Sequence, residues 1–112
     1  MKTQLIPAEL LESVVAHFRP QRVIVFGSVA RGEAGPDSDI DLLVVLDDDI
    51  QRDMLTARSV YEARKDYHHA VDILPCRASV LSARARAEGS FADIVLREGV
   101  TVYERRHSGS DI

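Results

Sequence analysis

The chain has 112 residues, 46% hydrophobic and 29% charged, with 14 basic side chains against 18 acidic ones and a net charge of −4. One domain with its own core fits that length and a second, substrate-binding domain does not, while the acidic balance argues against a protein that coats nucleic acid. The longest apolar runs, Val23–Phe26 and Leu42–Leu46, fall far short of a bilayer span; the amino terminus lacks a signal-peptide core, and lone Cys76 cannot form an internal disulfide, so a cytoplasmic location is expected.

Pro7 to Phe18 spaces Leu10, Leu11, Val14, Val15 and Phe18 as one face of an amphipathic helix, with Pro7 in its first turn and Arg19-Pro20 at its end. Gln21–Phe26 is a β-branched and aromatic run stopped by Gly27, which predicts a strand. Ser28–Glu33 is expected as a short helix and Gly35-Pro36-Asp37 as a turn, with Asp37 capping its own backbone. Asp39–Leu46 is the strongest strand signal, apolar at every later position, as when both faces are covered. Asp53–Tyr67 reads as a helix with Met54, Ala57, Val60 and Tyr61 on its apolar face. Ala70–Leu74 reads as a strand ended by Pro75. Ala78–Ala87 is an alanine-rich helix. Ser90 then caps a helix whose face is Phe91, Ile94 and Val95 and which Gly99 closes. Val100–Glu104 is a final strand, and 107–112 is expected to be a frayed tail. The pattern predicts a single α/β (α+β) domain over residues 1–112.

The chemistry lies between Val23 and Leu46. A P-loop would need Lys and a hydroxyl after the second glycine, but Glu33 and Ala34 stand there. A calcium loop starting at Asp37 would need glycine where Leu42 stands. Both are rejected. As a strand, the segment projects Asp39 and Asp41 side by side while Ile40 and Leu42 face the core. Adjacent carboxylates repel unless a cation lies between them, and hard divalent ions such as Mg²⁺ take oxygen ligands together with substrate phosphates. Gly27-Ser28, where a strand ends and a helix is expected to begin, offers amides and a hydroxyl to phosphate. Asp72, alone between Val71 and Ile73, becomes a third ligand and a proton acceptor if the sheet sets it beside the other two.

The ordered set of Gly-Ser after a strand, ten intervening residues, Asp-Ile-Asp and a later Val-Asp-Ile strand resembles the nucleotidyltransferase superfamily of DNA polymerase beta. More narrowly, GSVARGEAGPDSDIDLLV and GSFADIVLREGVTVYE resemble the minimal nucleotidyltransferases, small proteins often paired as antitoxins with HEPN toxins. The resemblance covers residues 3 to 105 and implies a small mixed sheet flanked by helices. It also implies that Gly27 and Ser28 hold a triphosphate, that Asp39 and Asp41 hold two Mg²⁺ ions, and that Asp72 serves one metal and the acceptor hydroxyl. Arg31 and Ser38 lie inside the motif as further nucleotide-binding candidates. The implied reaction is attack of an acceptor hydroxyl on the α-phosphate of ATP, with pyrophosphate leaving. The implied acceptor is a tyrosine of a HEPN toxin that AMP transfer would inactivate. A non-catalytic antitoxin acting by occlusion, and transfer to a small molecule such as an aminoglycoside, stay open as alternatives. Direct nucleic-acid binding is not expected, with seven acids between Asp37 and Asp53. Elsewhere, Asp47-Asp48-Asp49 reads as a helix-capping loop rather than a second metal site, and Arg52, Arg58, Arg64 and Lys65 as a solvated helix face.

Overall fold

A computed structural model describes residues 5–33, 35 and 38–105. The helix α1 (Ala8–Phe18) starts with Pro7 as its N-cap rather than in the first turn and ends at left-handed Arg19, whose amide bonds Val15 O. It buries Leu10, Val14 and Phe18, the face that the spacing predicted. Strands β1 (Arg22–Phe26) and β2 (Ile40–Leu46) follow as an antiparallel pair. Strand β3 (Val71–Arg77) pairs parallel to β2, and β4 (Val100–Glu104) antiparallel to β1, giving the sheet order β3-β2-β1-β4. This is the expected small mixed α/β sheet.

Between β2 and β3 the single helix expected over Asp53–Tyr67 is two pieces, a 3₁₀ turn (Arg52–Leu55) and α2 (Ala57–Arg64). Thr56 separates them: its extended backbone breaks the helix and its side chain caps α2 by accepting from Ser59 N–H. The buried face also differs from the predicted one. Ser59 and Ala63 face α1, where Ser13 Oγ donates to Ala63 O and His17 Nε2 bonds Ser59 Oγ at 2.9 Å, so small and polar residues make the close contact. Tyr61 is displaced to the outside, 62% exposed.

Pro75 does not end β3. The strand runs two residues further because β3 is the sheet edge, where the missing amide faces no partner strand. Helices α3 (Ala78–Ala85) and α4 (Phe91–Glu98) then cross to the other face. Ser90 and Gly99 cap α4 as expected, but its buried residues are Ala92 and Val95; Phe91 and Ile94 lie outside.

Strand alternation sorts the core into two layers. Val23, Val25, Leu42, Val44, Val71 and Ile73 pack with α1 and α2 residues on one face. Ile24, Leu43 and Val45 pack with Leu81, Ala92 and Val95 on the other. Asp41 shares its parity with Leu43, and Asp72 with Leu74 and Cys76, so both acids belong to the α3/α4 face. The tail over 107–112 and the turn at Pro36-Asp37 lie outside the described residues.

Candidate active site

The site assembles at the end of β1 and the start of β2. Phe26, the last residue of β1, pairs with Asp41, and Asp41 pairs in turn with Asp72 across the parallel β2/β3 ladder. Three neighbouring strands thus carry Gly27, Asp41 and Asp72 to one point. Gly27 adopts φ +75°, and a Cβ built on it would lie 2.5 Å from Oδ2 of Asp41. Only glycine satisfies both the left-handed backbone and that approach.

The turn after Gly27 is one helical turn and not the expected helix. Arg31 N–H donates to Gly27 O, Gly32 N–H to Val29 O and Glu33 N–H to Ser28 O at 2.9 Å. Left-handed Gly32 (φ +74°) closes it as a Schellman motif before a second turn can form. Within this turn the amides of Ser28, Val29 and Ala30 have no partner among the described residues, as at a helix start that receives an anion.

Asp41 is partly buried, and burial first, then the charges of Asp72 and Asp39, push its carboxyl above the ordinary aspartate value of 3.8. Asp41 and Asp72 are close enough to hydrogen-bond once one is protonated. Asp39 and Asp72 are exposed. Asp39 precedes β2 and acts on Asp41 through its charge, but no three His, Cys, Asp or Glu side chains among the described residues close around one point suited to a metal ion. The donor set nevertheless suits a hard divalent cation: the three candidates are all carboxylates, and such an ion would relieve the charge repulsion that adds to burial in raising the Asp41 carboxyl.

The other two candidates have local partners. Arg31 Nε donates to Glu33 Oε1 at 3.0 Å, an exposed pair, and its side chain borders a small pocket beside Phe26 and Gly27. Ser38 closes the connecting loop: its Oγ accepts from Gly35 N–H at 2.8 Å and its own amide donates to Gly35 O.

Two features escaped the sequence reading. Arg64, expected on a solvated face, donates to the carbonyls of Tyr67, His69 and Val71, which fixes the entry of β3 next to Asp72. Carbonyls of a loop and of the first residue of a strand leave no mark in a sequence. Phe91, expected in the core, is 54% exposed and packs edge-on against Phe26 with ring centroids 5.4 Å apart, beside the glycine turn. Asp47 and Asp48 have structural partners, but not as a loop capping the next helix. Asp47 accepts from Gln21 and Arg105, and Asp48 Oδ1 caps the start of α3 by accepting from Ser79 N–H. His68 and His69 lie in the loop between α2 and β3.

A family model described as a nucleotidyltransferase domain matches residues 8–99. The chain belongs to the nucleotidyltransferase-domain family. No curated protein matches this nucleotidyltransferase. Among solved structures it is similar to a candidate nucleotidyltransferase from Sulfolobus solfataricus, with TM-score 0.57 and 23% identity over 93% of this chain and 79% of that one. It is also similar to a toxin–antitoxin structure containing AMP-PNP, with TM-score 0.58 and 14% identity over 90% of this chain and 76% of that one. At these identities the likeness is one of fold, and it agrees with the mixed sheet described above. No helix among the described residues is long and apolar enough to cross a membrane.

Proposed function

We propose that this nucleotidyltransferase transfers AMP from ATP to a hydroxyl, a tyrosine of a HEPN-family toxin, and so acts as the antitoxin of a toxin–antitoxin pair. The observation that carries the catalytic part is the register of Asp41 with Asp72, with Gly27 drawn against Asp41. The resemblance to minimal nucleotidyltransferases and the likeness to a toxin–antitoxin fold containing AMP-PNP support the partner and the nucleotide.

In this reading the amides of Ser28, Val29 and Ala30 receive the phosphates, and Arg31 exchanges Glu33 for a phosphate oxygen. Asp41, Asp72 and Asp39 would hold Mg²⁺, which when bound neutralises charge on the triphosphate and lowers the cost of the departing pyrophosphate. Asp72 lines an open cleft of about 650 Å³ between α2 and the outer edge of β3. An acceptor hydroxyl arriving there meets Asp72 as proton acceptor while its oxygen attacks the α-phosphate in line. The acceptor O–P bond forms, the bond to pyrophosphate breaks, and the proton passes to the Asp72 carboxylate. Catalysis is positioning and electrostatics, and the protein needs no covalent nucleophile.

The test is incubation with α-labelled ATP, Mg²⁺ and the candidate partner toxin, followed by mass analysis of the toxin. Label on a toxin tyrosine, lost in Asp39→Asn/Asp41→Asn, supports the proposal. Label that survives the double substitution overturns the site assignment. Neutralisation of the toxin by the double variant assigns the protein to occlusion instead.

A further inference from the structure

Strand register places an apolar surface one step from the carboxylates. Asp41 pairs with Asp72, and the next pair on the same sheet face is Leu43 with Leu74, ~7 Å along the strands. Cys76 follows Leu74 in the same row. These residues floor a groove of about 490 Å³ walled by Leu81 and Arg84 of α3 and by Phe91 at the start of α4. Leu74 is 42% exposed and Phe91 54% exposed there, although the rest of this sheet face is packed. Phe91 also contacts Phe26, the residue before Gly27, so one aromatic wall joins the glycine turn to the groove.

We propose that this groove receives the nucleoside half of the triphosphate, with the base against Phe91 and over Leu43 and Leu74. The inference rests on the nucleotide reading above. A nucleotide held by its phosphates at Gly27 and the acids has only its ribose and base left to place. The flat aromatic face of the base matches this apolar recess, which lies on the acids' own sheet face and is larger, at about 490 Å³, than the pocket of about 200 Å³ beside Phe26 and Gly27. The volume falls in the range of small-molecule sites, and an aromatic wall suits stacking on a base. With a mainly apolar lining, the groove reads the face of the base more than its edge.

Cys76, the sole cysteine, is half-buried in the groove and serves as the reporter. Its rate of alkylation by N-ethylmaleimide is measured alone, with Mg·ATP and with Mg·tripolyphosphate, and binding of each is measured separately by calorimetry. At ten times the Kd, Mg·ATP is expected to slow alkylation about tenfold, while Mg·tripolyphosphate bound at the same turn leaves it unchanged. In the variant Leu74→Gln, affinity for Mg·ATP is expected to fall at least about fivefold with that for tripolyphosphate unchanged; a loss of about 1 kcal/mol corresponds to that ratio. Binding of Mg·ATP without protection of Cys76, or equal protection by tripolyphosphate, overturns the groove assignment and leaves the nucleotide reading standing. Absence of any Mg·ATP binding overturns both.

Discussion

Gly27 and Asp41 touch across the end of the β1/β2 hairpin, so closely that the carboxylate occupies the place where a side chain on residue 27 would be. The turn whose amides are proposed to meet phosphate and the acid that pairs with Asp72 are therefore one mechanical unit. Altering either residue moves the other.

Gly27→Ala tests that unit. A left-handed alanine costs about 1–2 kcal/mol, and the overlap with Asp41 Oδ2 adds to it. Urea unfolding is expected to show a loss of about 2–3 kcal/mol. The displaced carboxylate is expected to lower transfer by about 10²-fold or more, measured with α-labelled ATP.

Asp41 sets a pH dependence of stability. Its carboxyl is raised in the folded state, so the folded protein binds more protons than the unfolded chain between the ordinary value of 3.8 and the raised one. In the metal-free protein, stability should fall as pH rises through that window and level off above it. Asp41→Asn is expected to remove this fall and lower transfer by about 10²–10³-fold. Denaturation midpoints across acidic pH, with and without Mg²⁺, read it out; added Mg²⁺ should flatten the wild-type curve.

Arg64 acts through β3. Removing its guanidinium leaves the carbonyls of Tyr67, His69 and Val71 without their donor. Arg64→Ala is expected to lower stability by about 1.5–3 kcal/mol and to loosen the strand start that carries Asp72. Amide exchange at Val71 and Asp72 should accelerate more than at β1.

Asp48→Ala provides the contrast. It removes the acceptor for Ser79 N–H at the start of α3, worth about 1 kcal/mol, at a position outside the acid cluster. A lowered unfolding midpoint with transfer at the parental rate is expected.

Ser90→Ala should cost a similar ~1 kcal/mol by uncapping α4. On the same turn Asp93 accepts from Gly89 N–H first and from Arg97 second, which holds its carboxyl below the ordinary value. Its contribution is present above pH 3.8 and is lost as pH falls through the lowered value, a slope that Asp93→Asn should abolish.

Much of the site was legible because strand periodicity is a local property. Asp39-Ile-Asp-Leu states which side chains share a face, and Gly27-Ser28 marks the strand end. Less legible was everything that depends on a second element. Pro75 reads as a stop until β3 is known to be an edge. Tyr61 and Phe91 read as core because their spacing is apolar, yet the close packing went to Ser59, Ala63 and Ala92, whose small side chains let the helices approach.

The sequence by itself determined that four strands exist, the acid alternation on β2 and the stop of β1 at Gly27, because those follow from local β-propensity and a period of two. Only the tertiary structure decided that Asp72 stands opposite Asp41, that the Asp41 carboxylate fills the space beside Gly27, and that a recess lies next to both. Residues 41 and 72 meet through the parallel register set by the α2 crossover, a long-range pairing that local periodicity does not encode.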